Sequence, residues 1–437
     1  MRMTAKYVAQ LAATITVFGL SCSVAAAADD SKNDWPGWRG KNRDALTSEK
    51  GLLKDWPKGG PKLLWSFEAA GFGYGQPAIV GDELFILGKD DDGEFIKKLN
   101  LDGKEIGRGK LDSGKNKYET GWGGGPRSTP IIDGDQIFAL SSDGRVVCLD
   151  RSSLNEKWSK SLVDDFGGKT PYWGYAESPL VDGDKVVVTP GRKNCVVALN
   201  KNSGDVVWKS TGVEDNAAYS SLVTMTVSGK KMYVTQTDKR LIGVDAETGK
   251  VLWKFGEMPR KIAVIPTPIV SGSRVYATAG YDAGCECVDI EGSGDSFEAK
   301  KVYVNRNMSN HHGGVILLDG YIYGHSGKSN GNPWVCQKLA DGSVASKLDG
   351  RKVGKGSIAY ADGRFYLYEE KIGGSCVLAE ASPSGWTEHG KFQLPKNSSL
   401  ERGTKGSGLV WSHPIVVGGR LYLRDLDLLY CYDVKAN

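Results

Sequence analysis

The sequence has no excess of charge of either sign. Its 437 residues include 56 lysines and arginines against 52 acidic residues, a formal net charge of +4. Nucleic-acid binding domains concentrate positive charge on one face or along one helix, and no basic stripe is visible here. The composition therefore gives no indication of a nucleic-acid partner.

Long apolar segments are scarce too. One stretch, Val8 to Leu20, follows a positively charged start and precedes three alanines that end at Ala28. This pattern is typical of a secretory signal peptide, residues 1–28, and predicts a periplasmic or secreted protein cleaved near Ala28. Lipoprotein processing at Cys22 fits less well, because Gly19 occupies the place of the expected apolar residue. No second segment is long enough for a membrane helix.

Adjacent cysteines are absent, although the chain has eight cysteines in all. Seven remain after the predicted cleavage, an odd number, so at least one thiol is free or pairs between chains. Cys285 and Cys287 would share one face of a strand and could in principle bridge. Cys148, Cys336 and Cys431, however, occupy the same position as Cys287, two residues before the turn that ends a strand. A position that recurs in this way favours buried packing.

Helical periodicity is missing as well. Short β-branched and aromatic runs alternate with turns rich in Gly, Asp and Asn, which indicates an all-β protein. A hairpin pattern with a turn glycine recurs eight times at intervals of 43 to 55 residues, at Gly81, Gly134, Gly183, Gly229, Gly272, Gly320, Gly363 and Gly418. Another strand pair follows each hairpin. We predict an eight-bladed β-propeller of four-stranded antiparallel blades over residues 59–437, with strands a to d running outwards from the axis.

The second half of each blade carries a repeated phrase. "VVALNKNSGDVVW" ends at Trp208 and "LIGVDAETGKVLW" ends at Trp253. Each copy consists of a strand, then a turn closed by glycine, then a second strand that carries the tryptophan. We expect the large indole rings to fill the space between neighbouring blades.

The two ends of the chain complement each other. The last blade stops at Asn437 with strands a, b and c, while "GPKLLWSFE" near the N-terminus is an isolated strand carrying Trp65. We expect this strand to complete the eighth blade, with Trp65 near Tyr430, because closure of the ring removes open sheet edges. Residues 29–58 are predicted to be an extended leader on the surface, anchored between blades by Trp35, Trp38 and Trp56.

The repeat resembles the pyrrolo-quinoline quinone (PQQ) propeller repeat, whose motif is A-x-D-x-x-T-G-x-x-x-W. Asp245, Thr248, Gly249 and Trp253 match it, with Gly243 in the alanine place. The copy "ALNKNSGDVVW" keeps the alanine, the glycine and the tryptophan. The resemblance covers residues 34–437 and extends to bacterial secreted PQQ-like repeat proteins of the quinoprotein alcohol dehydrogenase-like superfamily.

This resemblance implies two different functions. The superfamily includes quinoprotein alcohol dehydrogenases, which need a disulfide between adjacent cysteines, a Ca²⁺ ion held by Glu and Asn, an Asp base and a stacking Trp. It also includes an outer-membrane assembly scaffold that binds no quinone. We favour a non-catalytic binding or scaffold protein without a cofactor, whose partner is an envelope protein or a saccharide-like ligand. The alternative is an enzyme, a PQQ- and Ca²⁺-dependent dehydrogenase of the alcohol or polyvinyl-alcohol type.

The connections from strand d to the next strand a lead to the axis, so their side chains are the candidate ligand-binding residues. They are Trp122, Arg127, Tyr172, Trp173, Tyr175, Glu177, Tyr219, Asn310, His311, His312, Lys355, Trp411 and His413. Aromatic surfaces with an arginine and a glutamate suit a flat, anionic or sugar-like ligand. The same side chains could instead only plug the channel.

Two details of this set lead to specific expectations. Arg127 and Glu177 precede neighbouring inner strands, so we expect them to converge and either to pair or to bind one ligand. Glu177 could also ligate a metal or accept hydrogen bonds from loops. His311 and His312 are adjacent and would point to opposite faces of a strand, so no metal site is predicted.

Overall fold

The computed structural model describes residues 34–115, 117–260, 262–327, 331, 333–404 and 409–436. The predicted signal peptide and Cys22 lie outside these residues. The described chain forms strands and turns, and it is arranged as eight four-stranded antiparallel blades around one axis, one of which gains a fifth, parallel strand. The prediction of an all-β, eight-bladed propeller is confirmed. Nowhere in the described chain is there a helix that could cross a membrane.

The strands follow the order of the blades. Two come before the first complete blade, β1 (Leu46–Thr47) and β2 (Lys62–Phe67). Blades one and two consist of β3 (Ala78–Val80), β4 (Glu83–Asp90), β5 (Gly93–Asn100), β6 (Glu105–Asp112), β7 (Ile131–Asp133), β8 (Gln136–Leu140), β9 (Arg145–Asp150) and β10 (Glu156–Ser161). Blades three and four consist of β11 (Leu180–Asp182), β12 (Lys185–Val188), β13 (Val197–Asn200), β14 (Val206–Lys209), β15 (Val223–Val227), β16 (Lys230–Gln236), β17 (Leu241–Asp245) and β18 (Val251–Phe255).

The second half of the ring repeats this plan. Blades five and six consist of β19 (Ile269–Ser271), β20 (Arg274–Ala279), β21 (Gly284–Ser293), β22 (Ser296–Asn305), β23 (Val315–Leu318), β24 (Tyr321–His325), β25 (Trp334–Lys338) and β26 (Val344–Leu348). Blades seven and eight contain β27 (Gly356–Ala361), β28 (Arg364–Glu369), β29 (Ser375–Ser382), β30 (Gly385–Gln393), β31 (Ile415–Val417), β32 (Arg420–Asp425) and β33 (Leu428–Asp433). Apolar side chains packed between neighbouring sheets form the core.

The eight predicted turn glycines lie between strands a and b of their blades. All eight have positive φ, from 58° at Gly81 to 82° at Gly363. Residues with a Cβ atom rarely adopt this conformation, whereas glycine adopts it readily. The glycine spacing therefore located the blades because each hairpin needs such a residue at its tip.

The N-terminal strand closes the ring as predicted. Strand β2 pairs antiparallel with β33, so that Trp65 lies opposite Cys431 and Ser66 lies opposite Tyr430. The eighth sheet has the order β2-β33-β32-β31. Closure leaves every blade flanked by two others, which removes the open face that a first or last blade would present.

The repeated tryptophans join each blade to the next. The ring of Trp158 on β10 covers Gly204 in the turn after β13, where a Cβ atom would lie 2.7 Å from the indole. Its Nε1–H donates to the carbonyl of Lys201 at 2.9 Å. Trp208 covers Gly249 in the same way in the next blade. The glycine of the repeated phrase is thus the surface on which the preceding blade's tryptophan lies, and the interblade packing role is confirmed.

Trp65 makes the same contact at the ring closure, whereas Trp253 does not make it. Trp65 covers Gly103 and donates to the carbonyl of Leu101 at 2.7 Å, so the same contact seals the ring closure. The Nε1–H of Trp253 instead faces the Met232 sulfur of its own blade at 3.3 Å. The next blade extends β21 and β22 to ten residues each, so the turn glycine there, Gly294, has no side chain against it.

The seven cysteines of the described chain are all free and buried. Cys285 and Cys287 pack in the core between blades five and six. Burial raises the pKa of the Cys287 thiol to about 12. The interpretation as buried packing residues is confirmed, and no bridge joins Cys285 to Cys287.

The leader does not lie on the surface between Trp35 and Thr47. It enters the central channel from the end that carries the a–b turns, where Asp34 accepts a hydrogen bond from the Gly81 amide at 2.9 Å. Arg43 reaches the opposite end of the inner strands and donates to the carbonyls of Ser178 and Pro179. The segment then returns, and β1 pairs parallel with β27. The expected surface path was wrong here because buried arginines hold the segment to inner-strand carbonyls.

The three leader tryptophans have different surroundings. Trp35 packs in the core between blades eight and one, and Trp56 packs between blades seven and eight against Tyr366 and Phe392. Both lie between blades, as predicted. Trp38 does not, because the loop carries it into the channel.

Candidate functional site

A recess of about 500 Å³ opens at the end of the propeller that carries the d–a connections, and we call it the funnel. Every one of the eight connections contributes to its wall. Nine of the predicted residues line it: Trp122, Arg127, Trp173, Tyr219, His311, His312, Lys355, Trp411 and His413. The volume lies in the range of pockets that hold small molecules.

Two predicted residues do not line the funnel. Tyr175 packs in the core between blades two and three, and its hydroxyl donates to the carbonyl of Pro190 at 3.0 Å. Glu177 is 1% exposed and accepts a hydrogen bond from the Thr189 amide at 2.5 Å. Ala176, which lies between them, does line the funnel. Successive side chains of this extended segment point in opposite directions, and the two larger ones point away from the axis.

Arg127 and Glu177 do not form the expected pair. Arg127 donates to the carbonyls of Gly123 at 2.7 Å and Gly125 at 3.2 Å. The charge near Glu177 is that of Arg43 from the leader, and burial raises the pKa of the Glu177 carboxyl to about 7. The hypothesis of a shared function was wrong because the leader, which sequence reasoning placed outside, supplies the neighbouring cation.

Two other predicted residues flank the funnel. Tyr172 is 60% exposed at the rim, where its ring meets that of Trp173 edge-on at 4.9 Å. Asn310 is buried behind the wall and donates to the carbonyl of His325 at 3.0 Å. Neither lines the recess.

The rings of His311 and His312 lie against each other, with centroids 3.6 Å apart and planes inclined by 41°. They lie in a loop and not in a strand, so the expectation that they point to opposite faces was wrong. Lys355 Nζ lies 3.0 Å from His311 Nδ1 and 2.8 Å from Glu370 Oε1. Glu370 Oε2 lies 3.6 Å from His312 Nδ1. The wall therefore contains one ion pair with two imidazoles against it.

The funnel histidines are neutral at physiological pH. Burial, the neighbouring His312 and Lys355 lower the pKa of His311 well below its ordinary value. Burial and Lys355 do the same to the pKa of His312. Burial and Arg39 lower the pKa of His413 to about 3. Neutral imidazoles act as hydrogen-bonding and stacking groups and do not add positive charge to the wall.

The funnel walls are largely aromatic. The ring of His312 stacks on that of Trp411 at 4.6 Å, and Trp411 meets Tyr74 at 5.1 Å. On another part of the wall Trp173 lies 5.9 Å from Tyr219. These flat surfaces can hold a planar group or the apolar face of a sugar ring.

Sequence reasoning missed four lining residues that the site uses. Trp38 belongs to the leader, Tyr74 follows the closing strand, and Tyr281 and Glu370 lie on b–c loops. Tyr74 could have been predicted from the sequence, because "GFGYGQPA" is the d–a connection that follows the eighth blade. The b–c residues share this end of the propeller, but nothing in the sequence says how far such loops bend inwards.

A second recess of about 720 Å³ adjoins the funnel, and we call it the side groove. The two recesses share Tyr219 and Ile262 as lining residues. Lys117 and Lys169 also line the groove. Tyr219 and Ile262 thus form the boundary between the funnel and the side groove.

The funnel does not fit the calcium-bound quinone of the dehydrogenases. Calcium takes six to eight oxygen ligands. Glu370 is the one carboxylate residue that lines the described funnel, and Lys355 already neutralises it. The described residues include no group of three His, Cys, Asp or Glu side chains that could hold a metal ion. We therefore derive no redox step from this site.

Comparison with known proteins gives a family match for most of the propeller. The family model described as "Outer membrane protein assembly factor BamB" matches residues 91–348. The Shewanella oneidensis protein of that name is 20% identical over 234 residues, 52% of this chain and 54% of that protein. The chain thus spans about half the length of that relative. The Bordetella pertussis protein of the same name is 22% identical over 356 residues, 76% of this chain and 83% of that protein.

Enzymes of the superfamily also match. Polyvinylalcohol dehydrogenase of Sphingopyxis sp. is 24% identical over 284 residues, 53% of this chain and 41% of that protein. Among solved structures, BamB of Moraxella catarrhalis aligns with a TM-score of 0.57 at 15% identity, covering 85% of this chain and 99% of that one. A europium-containing methanol dehydrogenase aligns with a TM-score of 0.60 at 11% identity, covering 90% and 89%. These structural likenesses show the fold. With its family match over residues 91–348 and its eight four-stranded blades, the chain belongs to the BamB family of PQQ-like repeat β-propellers.

Proposed function

We propose that this protein is a non-catalytic periplasmic or secreted binding propeller that holds its ligand or partner in the funnel. The observation that carries the proposal is the convergence of side chains from all eight d–a connections on one open, aromatic recess. A channel plugged only for stability would not need an open recess of this size at one end. The leader already fills the channel below it.

The family match supports a binding function. The relatives from Shewanella oneidensis and Bordetella pertussis are named as outer membrane protein assembly factors. We infer from this likeness that an envelope protein is one class of partner. Its docking surface would be the same loop-rich face, where Trp122, Tyr172 and Tyr281 are exposed.

The alternative, a PQQ-dependent dehydrogenase, has its support in the match to polyvinylalcohol dehydrogenase. The donor chemistry of the funnel argues against it, because the only carboxylate among the described lining residues is paired with a lysine. Two different functions can share one fold, so the residues of the site decide between them.

Reconstitution tests the proposal. Purified protein is incubated with PQQ and Ca²⁺ and assayed with a dye acceptor over alcohols, polyvinyl alcohol and sugars. We expect no turnover above that of the free quinone, and no change on Glu370→Gln. Sustained turnover by the wild-type protein, lost on Glu370→Gln, would establish the dehydrogenase and overturn the proposal.

A further inference from the structure

Three cations along the funnel and the side groove have no carboxylate partner within the described chain. Arg127 lines the funnel, and Lys117 and Lys169 line the side groove. The two recesses adjoin at Tyr219 and Ile262, which line both. The path from the centre of the funnel to the outside of the rim therefore carries successive positive charges.

Arg127 is held in place without being neutralised. Its guanidinium donates to two backbone carbonyls, those of Gly123 and Gly125, and lies over the rings of Tyr74 and Tyr118. Backbone carbonyls and aromatic faces orient an arginine but do not cancel its charge. Lys355, the other cation among the described lining residues, is already paired with Glu370. Arg127 is thus the cation of the funnel wall that is available to an anion.

The side groove also contains two carboxylates, and amide groups hold both in place. Glu119 accepts a hydrogen bond from the Gly121 amide at 2.6 Å, and Asp238 accepts two from Asn216 at 3.0 and 2.8 Å. Lys117 and Lys169 are exposed residues of the groove. Lys117 and Lys169 are therefore the groups of the groove that a second negative charge can contact.

The remaining groups favour a polyhydroxylated ligand over an acidic peptide. The stacked pair His312 and Trp411 and the ring of Trp173 offer flat faces, which suit a sugar ring. The buried Tyr74 hydroxyl and His413 Nδ1 have no hydrogen-bond partner among the described groups. Such groups are satisfied by water or by a ligand rich in hydroxyls, and a purely apolar ligand would leave them unpaired.

We propose that the funnel and the side groove together bind an acidic oligosaccharide, a chain of carboxylated sugars. One sugar lies in the funnel with its carboxylate on Arg127, and the chain continues past Tyr219 and Ile262 towards Lys117 and Lys169. This inference rests on the proposed binding function and names the ligand class of that same site.

The test uses three probes that separate charge from sugar. Oligogalacturonides of two to six units carry both features, their methyl esters keep the sugar without the charge, and oligoglutamate keeps the charge without the sugar. Affinities are measured by titration calorimetry on the full-length mature chain. We expect the acid form to bind about tenfold more tightly than the ester, since a charge-assisted hydrogen bond contributes roughly that factor. We also expect affinity to rise from two to four units.

Matched variants locate the contact. We expect Arg127→Gln to weaken the acid form about tenfold and to leave the ester unchanged. Lys169→Gln should weaken the longer chains more than the dimer. The control is Lys104→Gln, which removes an exposed lysine from a c–d turn at the opposite end of the propeller. Circular dichroism checks that each variant is folded.

Each other result overturns the inference. Equal binding of acid and ester would remove the role of charge, and binding of oligoglutamate alone would identify an acidic peptide site. Binding of no probe, or equal loss on Lys104→Gln and Arg127→Gln, would exclude this ligand class at this site. None of these results touches the proposed binding function, which fails instead if PQQ and Ca²⁺ support turnover.

Discussion

Trp38 donates its indole Nε1–H to the Thr267 hydroxyl at 2.9 Å, across 229 positions of sequence. The leader carries the indole through the channel to the connection that leads into blade five, and the indole ring also meets that of His413 at 4.8 Å. Trp38 lines the funnel from below. The leader is therefore part of the site, and the shape of the funnel depends on its insertion.

Replacement of Trp38 by phenylalanine should affect ligand binding more than stability. Trp38→Phe keeps an aromatic ring but loses the hydrogen bond to Thr267, at a cost of about 1 kcal/mol in the free energy of unfolding. The smaller phenylalanine ring also leaves a gap at the bottom of the funnel, where the indole ring would contact a ligand. We expect a measurable loss of affinity for any funnel ligand, checked by calorimetry, and a small loss of stability, checked by urea unfolding.

Trp56→Phe is the matched control for this change. Trp56 is another leader tryptophan, but it packs between blades seven and eight, away from the funnel. It should lose some stability and keep full affinity. If both variants lose affinity equally, the effect comes from general loosening of the leader and Trp38 is not part of the site.

Gly204→Ala should destabilise the propeller more than Gly183→Ala does. Both glycines have positive φ, 73° and 62°. A Cβ atom at Gly183 would meet nothing within 4 Å, whereas at Gly204 it would lie 2.7 Å from the Trp158 ring. We expect about 1 kcal/mol for the backbone conformation alone at Gly183, and about 1–3 kcal/mol more at Gly204 because the ring must move. Equal losses in urea unfolding would show that the tryptophan contact tolerates displacement.

Glu177 should make the protein less stable as the pH rises from about 4.5 to 7. Burial raises the pKa of its carboxyl from 4.5 to about 7 in the folded state. Between these values the unfolded chain releases the proton while the folded chain keeps it, so the free energy of unfolding falls with increasing pH. The full effect is about 3 kcal/mol.

Glu177→Gln should remove this part of the pH dependence, because the amide stays neutral and its oxygen still accepts the Thr189 amide. Unfolding free energies at pH 5 and pH 7.5 measure the difference. The pKa of the buried Glu94 is also raised to about 7, so some dependence will remain. Glu247→Gln, at an exposed turn, is the control and should leave the wild-type slope. An unchanged slope in Glu177→Gln would contradict the buried neutral carboxyl.

The architecture could be predicted from the sequence because local rules determine it. Each hairpin needs a glycine of positive φ, so Gly81 and its seven equivalents mark the blades. The unpaired Trp65 strand and the missing last strand predict the closure. Nine funnel residues could be named because every d–a connection must lead to the axis, whatever its sequence.

The rest depends on contacts that leave no local pattern. Glu177 points away from the axis because Ala176 faces it instead. Side chains alternate along such a connection, and the sequence does not show which of two neighbouring residues faces inwards. The path of the leader depends on Arg39 and Arg43, which donate to carbonyls of Val315, Ser178 and Pro179. Every residue has a backbone carbonyl, so the sequence does not show which carbonyls accept hydrogen bonds from these arginines. The path of the leader is therefore apparent only from the structure.

Occupation of the funnel during native purification tests the proposed binding function most directly. Wild-type protein, the double variant Arg127→Gln/Trp122→Ala and Lys104→Gln are isolated from the native organism and compared by native mass spectrometry after crosslinking. Trp122 is 42% exposed at the funnel, so its replacement should not disturb the core. We expect a bound molecule on the wild type and on Lys104→Gln that is lost from the double variant. The same molecule on all three proteins, or none on the wild type, would contradict a ligand site in the funnel.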